Sequence, residues 1–231
     1  MITSASNPKL KLIRRLASRR QRQKLGLFVC EGEDLVDAGL AAGLEPVELL
    51  VAGESVDAAL LAELSSLAHT PRVIAVFRSD WLPRLDPRTA PAAGLALWRV
   101  ADPGNVGTLI RAAAGLGPAS VALSAGCADP LGPKALRASM GAIFTVPLGH
   151  LDEAPRPWVA LQARGAPPLA TIELGERATF LLGAEREGLP PDLVEECDAV
   201  ASIPLADGAE SLNVGAAGAI ALYELVRRAR D

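Results

Sequence analysis

Apolar positions along the 231-residue chain change period repeatedly, and the changes outline alternating helices and strands. In "SNPKLKLIRRLASRR" (6–20), Leu10, Ile13 and Leu16 recur at helical spacing behind Ser6 and Asn7 as caps and Pro8 in the first turn. Lysines and arginines take the other face of that helix. Short apolar runs at "LFVCE" (27–31), "PVELLVAG" (46–53) and "PRVIAVF" (71–77) predict strands. Between them "DLVDAGLAAG" (34–43), closed by glycine, and "SVDAALLAELSSLA" (55–68) predict helices. This alternation describes a small α/β unit. The proline-rich stretch "WLPRLDPRTAPAAG" (81–94) then reads as a linker and divides the chain into domains 1–90 and 91–231.

The alternation restarts beyond the linker. Strand "LALWRV" (95–100), turn "ADPG" (101–104), helix "NVGTLIRAAAGL" (105–116) stopped by Gly117, and strand "SVALS" (120–124) are the clearest elements. Further along, "GPKALRASMG" (132–141) predicts a short helix, "AIFTVPL" (142–148) a strand and "WVALQARG" (158–165) a helix. "PLATIEL" (168–174), "ATFLLG" (178–183) and "DAVASIPL" (198–205) predict strands, and "SLNVGAAGAIALYELVRRAR" (211–230) a long closing helix. The expected architecture is α/β, with a parallel sheet whose ligands lie at the carboxyl ends of its strands.

Composition narrows the function classes. Half of the residues are apolar, no run approaches the length of a membrane span, and charged residues stand where a signal peptide would be apolar, so a soluble, cytoplasmic protein is expected. Cys30, Cys127 and Cys197 are scattered and fit small packed hydrophobes better than a disulfide or zinc framework. His69 and His150 are equally isolated, which leaves no metal site and little material for His-dependent catalysis. The net charge of −4 conceals an asymmetry: residues 1–30 hold Lys9, Lys11, Arg14, Arg15, Arg19, Arg20, Arg22 and Lys24 and no acid, leaving −12 for the rest. A basic arm without aromatic residues is either a solvated helix flank or a grip on RNA phosphates and shape.

Within "NVGTLIRAAAGLG" (105–117), Arg111 sits among alanines, leucine and isoleucine, so it either reaches solvent or is aimed at a ligand. Three glycine-marked turns, "DPGNVGTLIR" (102–111), "LLGAEREGLP" (181–190) and "IPLADGAESLNVG" (203–215), each follow a strand, where backbone approaches a ligand closely. Neither G-x-G-x-x-G nor G-x-x-x-x-G-K-[ST] occurs, so ordinary dinucleotide and phosphate loops are demoted. Glu185 is by itself either a cap or a ligand-orienting acid.

These turns closely resemble the three motifs of the SpoU (TrmH-like) branch of the SPOUT RNA methyltransferases. N-x-G-x-x-x-R is Asn105, Gly107 and Arg111; G-x-E-x-x-G is Gly183, Glu185 and Gly188; and I-P followed by S-L-N-V is Ile203, Pro204, Ser211, Leu212, Asn213 and Val214. The resemblance covers 95–231, including "DPLGPKALRASMGAIFTVPL", and more loosely 1–90, which is similar to that family's small RNA-binding domain related to ribosomal proteins. It implies a C-terminal trefoil knot, with S-adenosylmethionine among loops containing Leu182, Gly183, Ile203, Pro204 and Leu212. It further implies that Arg111 contacts the ribose 2′-oxygen and adjacent phosphate while Asn105, Glu185, Ser211 and Asn213 hold the arginine, substrate or loops. Asp207 departs from a common glycine and Gly215 from a common serine or alanine.

The implied activity is 2′-O-methylation of a structured RNA, ribosomal ahead of transfer RNA, by a homodimer whose subunits complete each other's sites, with Lys9, Lys11, Arg14, Arg15, Arg19, Arg20 and Arg22 gripping the RNA. An RNA-binding or ribosome-assembly protein of the same fold without catalysis is the alternative. The intact set Asn105, Arg111, Glu185 and Asn213 discriminates against it. A nucleotide-dependent metabolic enzyme is a third reading, viable only if the basic arm has no part in RNA binding.

Overall fold

A computed structural model describes residues 1–66 and 70–229; the expectation for His69 and the ends of the helices anticipated over 55–68 and 211–230 lie outside the described residues. Helices α1 (Pro8–Leu16) and α2 (Arg19–Leu25) precede strand β1 (Leu27–Glu31), followed by α3 (Glu33–Ala41), β2 (Glu48–Val51), α4 (Ala58–Leu64) and β3 (Val73–Arg78). The three strands form an antiparallel sheet in the order β1-β3-β2, with Cys30 opposite Ala75 and Leu50 opposite Ile74. As the spacing requires, α1 buries Leu10, Ile13 and Leu16 against Leu50, Val56, Leu61, Ile74 and Val76, and the Asn7 side chain accepts a hydrogen bond from the Lys9 N–H to cap it.

The second unit contains β4 (Ala93–Leu97), α5 (Pro103–Leu116), β5 (Ala119–Leu123), α6 (Pro133–Ser139), β6 (Leu148–His150), β7 (Trp158–Gln162), β8 (Ala178–Leu182), α7 (Pro191–Glu195), β9 (Ala199–Ser202) and α8 (Val214–Arg228). Its six strands are all parallel, in the order β6-β5-β4-β8-β7-β9. α5 and α8 cover one face, where Leu95, Leu97, Phe180 and Leu182 meet Leu109, Ile110, Leu222 and Leu225 in one core. β4 and β8 are buried at every position, which produces continuous apolar runs rather than alternation.

Three expectations are corrected. "WVALQARG" is not a helix: Trp158–Gln162 is strand β7, and its run WVAL lacks a two-residue period because Trp158, Val159 and Ala160 are all buried. "PLATIEL" is not a strand; only Pro168 bridges to Ser202, and the Leu169 and Ile172 carbonyls accept hydrogen bonds from the Arg228 guanidinium instead of a ladder partner. In "AIFTVPL", Ala142–Phe144 winds into a 3₁₀ turn, Pro147 has no N–H to donate, and ladder pairing starts only at Leu148. The stretch 81–94, read as the linker, packs against its neighbours. Leu82 and Leu85 are buried, Leu85 N–H donates to the Leu148 carbonyl at 2.9 Å, and β4 already begins at Ala93.

The two sheets are joined through packing and polar contacts. Phe28 and Phe77 meet Phe144 with ring centroids 6.3 and 5.8 Å apart, and Gly39 leaves room for this trio, because a Cβ there would press on both Phe77 and Phe144. Arg22, 6% exposed, donates through Nε to Asp129 at 3.0 Å and through Nη1 to the Leu16 and Ala17 carbonyls at 2.7 and 2.9 Å. It neutralises the carboxyl end of α1 and clips it to the loop after β5.

Candidate active site

The amino end of α5 is fixed locally. Asp102 caps it by accepting from the Asn105 N–H at 3.1 Å, Pro103 occupies the first turn, and Lys134 of α6 pairs with Asp102 at 2.8 Å. The Lys134 side-chain hydrogen bond, followed by the Asn105 N–H, holds the Asp102 carboxyl below its usual value. This places the Asn105 amide at the carboxyl edge of the sheet. Its Nδ2 donates to Glu185 Oε1 at 2.9 Å, and its Oδ1 accepts from Asn213 Nδ2 at 3.0 Å. Asn213 in turn caps α8, its Oδ1 accepting from the N–H groups of Gly215 and Ala216 at 2.8 and 3.3 Å. One amide thus ties together the three glycine-marked segments, far apart in sequence.

Two glycines make that junction possible. A Cβ at Gly107 would collide with the Ala135 carbonyl, so glycine lets α5 and α6 approach backbone to backbone. A Cβ at Gly183 would strike the backbone of Gly188 and Leu189, because the turn doubles back on itself, with Gly188 at φ +68°. Gly215 likewise admits the Thr108 methyl to close contact, its absent Cβ leaving 3.1 Å.

The loops after β7, β8 and β9 and the start of α8 enclose a cavity of about 640 Å³. Four of the residues expected to contact a cofactor, Leu182, Gly183, Ile203 and Leu212, line it; Pro204 faces the adjacent depression with Arg164, Asp207 and Gly208 instead. Glu185, Ser211 and Asn213 also line it. Sequence reasoning missed Leu161, Gln162, Arg186, Leu205 and Glu210. Leu161 and Gln162 end β7, and reading that segment as a helix hid them; a strand assignment would have put them at the ligand edge. Aliphatic walls, carboxylates and glycine backbone suit an adenine ring with a cationic tail, and the volume is that of a drug-sized or nucleoside-sized ligand. At Glu185 burial raises the carboxyl pKa, but the Asn105 amide and the N–H groups of Glu185, Ala101 and Asp102 outweigh it and leave the group below its usual value. It is an ionised acceptor at neutral pH.

Arg111 lies elsewhere. It is exposed on α5, and it lines a separate shallow groove with Ala38, Ala114, Ser139, Met140 and Thr145. No hydrogen bond or ion pair engages it among the described residues. The basic arm is also divided. Lys11, Arg14, Arg15, Arg19 and Arg20 are exposed, Lys9 pairs with Glu48 at 2.6 Å, Arg14 donates to the Ala5 carbonyl, and Arg19 reaches the Cys127 carbonyl at 3.2 Å. Arg22 faces inward, its donors used by Asp129, Leu16 and Ala17, so it is not displayed to a nucleic acid. Cys30 and Cys127 are buried and Cys197 half-buried, all free thiols, and burial pushes Cys30 up. Among the described residues no cluster of acids, cysteines or histidines has metal-binding geometry, and no helix is long and apolar enough to cross a membrane.

Residues 93–223 match the model of the SpoU rRNA Methylase family, and 7–82 that of the MRM3-like substrate binding domain. The chain is 32% identical to the 23S rRNA (guanosine(2553)-2′-O)-methyltransferase RlmP of Bacillus subtilis, over 97% of this chain and 98% of that one. Among solved structures it resembles an AdoMet-bound rRNA methyltransferase from Sinorhizobium meliloti, with a TM-score of 0.87, 29% identity and coverage of 98% and 97%. It also resembles the SpoU methyltransferase AviRb from Streptomyces viridochromogenes in complex with AdoMet, with a TM-score of 0.82, 25% identity and coverage of 96% and 98%.

Proposed function

The chain belongs to the SpoU rRNA methylase family, and from that premise we propose the reaction its geometry supports: transfer of a methyl group from S-adenosylmethionine to a ribose 2′-hydroxyl of ribosomal RNA. The observation that carries this reading is the Asn105 amide, which joins Glu185 and Asn213 at the mouth of the cavity. Bound there, the cofactor supplies a methyl carbon made electrophilic by its sulfonium. Leu161, Leu182, Ile203, Leu205 and Leu212 would hold the adenine between apolar surfaces, and Glu185 and Glu210 would favour the cationic end. Asn105 and Asn213 fix the loops so that little reorganisation accompanies transfer.

Arg111 is the proposed catalytic residue, holding the 2′-oxygen and the neighbouring phosphate in line with the methyl carbon. Because it lines a separate groove and not its own chain's cavity, we assign it to the cavity of a second copy in a homodimer. Large apolar side chains exposed on the surface support such an interface: Ile220 and Tyr223 on α8, and Met140 beside Arg111. The segments 182–190 and 203–213 around the cavity are proposed as the trefoil knot, residues 1–90 as the RNA-binding domain and 91–231 as the catalytic domain, working in the cytoplasm.

Methyl transfer from labelled S-adenosylmethionine to protein-free ribosomal RNA tests the reaction; no transfer and no cofactor binding would reject it. The trans arrangement has its own test. Arg111→Ala and Asn213→Ala chains, each inactive alone, should recover about a quarter of wild-type activity when co-expressed, since half of the dimers are mixed and each of these has one intact site. No recovery places Arg111 in its own chain's site.

A further inference from the structure

The loops after β8, β4 and β5 stand side by side at the carboxyl edge of the sheet, and the last of them touches α2. We propose that Arg99, in the loop after β4, is an RNA phosphate-binding residue, the middle step of a basic track from the cofactor cavity to Arg19, Arg20 and Arg15. This rests on the RNA methylation reading above.

Arg99 has φ +53°, a left-handed conformation that a long side chain rarely adopts and that glycine would adopt freely. Its surroundings enforce it. The Arg99 N–H donates to Ser124 Oγ at 2.9 Å, the Ser124 N–H donates to the Leu97 carbonyl at 2.9 Å, and the Ala128 N–H donates to the Val100 carbonyl at 2.9 Å. The loop after β5 is thus laced to the backbone on both sides of Arg99. The arginine side chain runs across Gly126, whose missing Cβ would sit 3.3 Å from its Cγ and 3.4 Å from its Nε. Its guanidinium is exposed, and no ion pair engages it among the described residues.

The next residue along, Cys127, accepts from Arg19 of α2, so one dipeptide is flanked by a cation from each unit. Of the carboxylates around this loop, Asp102 is paired with Lys134 and Asp129 with Arg22, while Asp152, Asp192 and Glu196 line the depression beside Trp98, Ser124 and Ala125. Exposed guanidiniums on the loop after β4 and on α1 and α2, which the loop after β5 connects, offer charge-assisted hydrogen bonds to a polyanion backbone. A strained backbone position kept by arginine rather than glycine is consistent with a ligand contact.

The test is binding of protein-free ribosomal RNA across a salt series, with methyl-transfer kinetics in parallel. Arg99→Gly suits the local φ and preserves the fold. It should weaken binding roughly tenfold at moderate salt and lower the slope of log K against log salt by about 0.9, one phosphate contact. KM for RNA should rise while KM for S-adenosylmethionine stays put. Arg99→Lys should keep the salt slope, and Arg88→Ala, which removes an exposed arginine paired with Asp86 in the segment before β4, should leave both readouts unchanged. An unchanged slope and RNA KM in Arg99→Gly, or an equal shift in Arg88→Ala, overturns the proposal. Absence of methyl transfer by the wild-type protein strikes the enzymatic reading instead, and the binding slopes still decide the role of Arg99.

Discussion

Helices α2 and α5 each carry an arginine in a sequence context that points to RNA, and the two guanidinium groups are used in opposite ways. Arg22 is 6% exposed and meets Asp129 and two α1 carbonyls, whereas Arg111 stands exposed with no partner among the described residues. Residue type and local charge do not separate them; the acceptors around each do. A cation surrounded by protein acceptors stabilises the fold, and one left open on a packed helix is available to a ligand. α5 can leave Arg111 free because its other faces already do the packing, through Val106, Leu109, Ile110 and Ala113.

The sharpest way to break this comparison is to remove Arg111. Arg111→Ala should lower methyl transfer on the order of 10³-fold, about 4 kcal/mol of barrier. Unfolding free energy should move by no more than about 0.5 kcal/mol, since the side chain supports nothing in the fold. Cofactor affinity, read by calorimetry, should stay within about twofold. A large loss of stability would erase the contrast with Arg22.

Arg22→Ala should show the reverse pattern. Removing it leaves Asp129 unpaired and the α1 carbonyls without their donor, at a cost of about 3 kcal/mol in denaturant unfolding. Arg22→Met, which keeps the apolar stem, should cost less. At temperatures where either variant is still folded, catalysis with saturating RNA should remain close to wild type. The clip holds the loop after β5 against α2 but touches neither the cavity nor Arg111.

The same contrast explains which features were legible in the sequence. Helix α1 was readable because its three buried residues repeat at helical spacing beside exposed cations. The three motif segments were readable because their glycines and asparagines mark close backbone approaches, and the structure joins them through Asn105. β7 was not readable, since a strand buried on both faces carries no period that distinguishes it from a buried helix. Nor was the fate of Arg22. Its partner Asp129 is far away in the chain, and a run of cations looks the same whether one of them turns inward or all face solvent. The position of Arg111 outside the cavity depends on which face of α5 meets α8, set by Gly215 and Gly218 against Thr108 and Leu109.

Below both arginines in expected effect lies the Asn105 junction, where partners are exchanged within the protein. Asn105→Ala leaves Asn213 Nδ2 and Glu185 Oε1 without their mutual link, which should cost about 1–2 kcal/mol in stability. Cofactor affinity should fall along with it, because both walls of the cavity loosen; a drop in turnover at unchanged cofactor affinity would instead make Asn105 a substrate contact. Asn105→Asp should be worse for cofactor binding, since it sets a second carboxylate against Glu185.

The smallest effect concerns the Glu185 proton. Its carboxyl titrates below the ordinary glutamate value in the folded chain, the N–H donors of Asn105 and the backbone prevailing over burial. The unfolded chain therefore takes up the proton first as pH falls. What Glu185 contributes to stability is complete above the unfolded glutamate value, about 4.3, and disappears only as pH drops through the lower folded one. Across pH 6–9 the carboxylate stays ionised and its link to Asn105 persists, so cofactor affinity measured by calorimetry should show no titration assignable to Glu185. Glu185→Gln keeps an oxygen acceptor for Asn105 but loses the charge, so stability at pH 7 should change little while affinity for the cationic cofactor weakens a few-fold, roughly the value of one partly screened charge pair. If Glu185→Gln abolished a limb of the pH profile near neutrality, Glu185 would be exchanging protons during turnover, and the cluster would belong with Arg111 among the groups proposed for catalysis instead of with Arg22 among the structural ones.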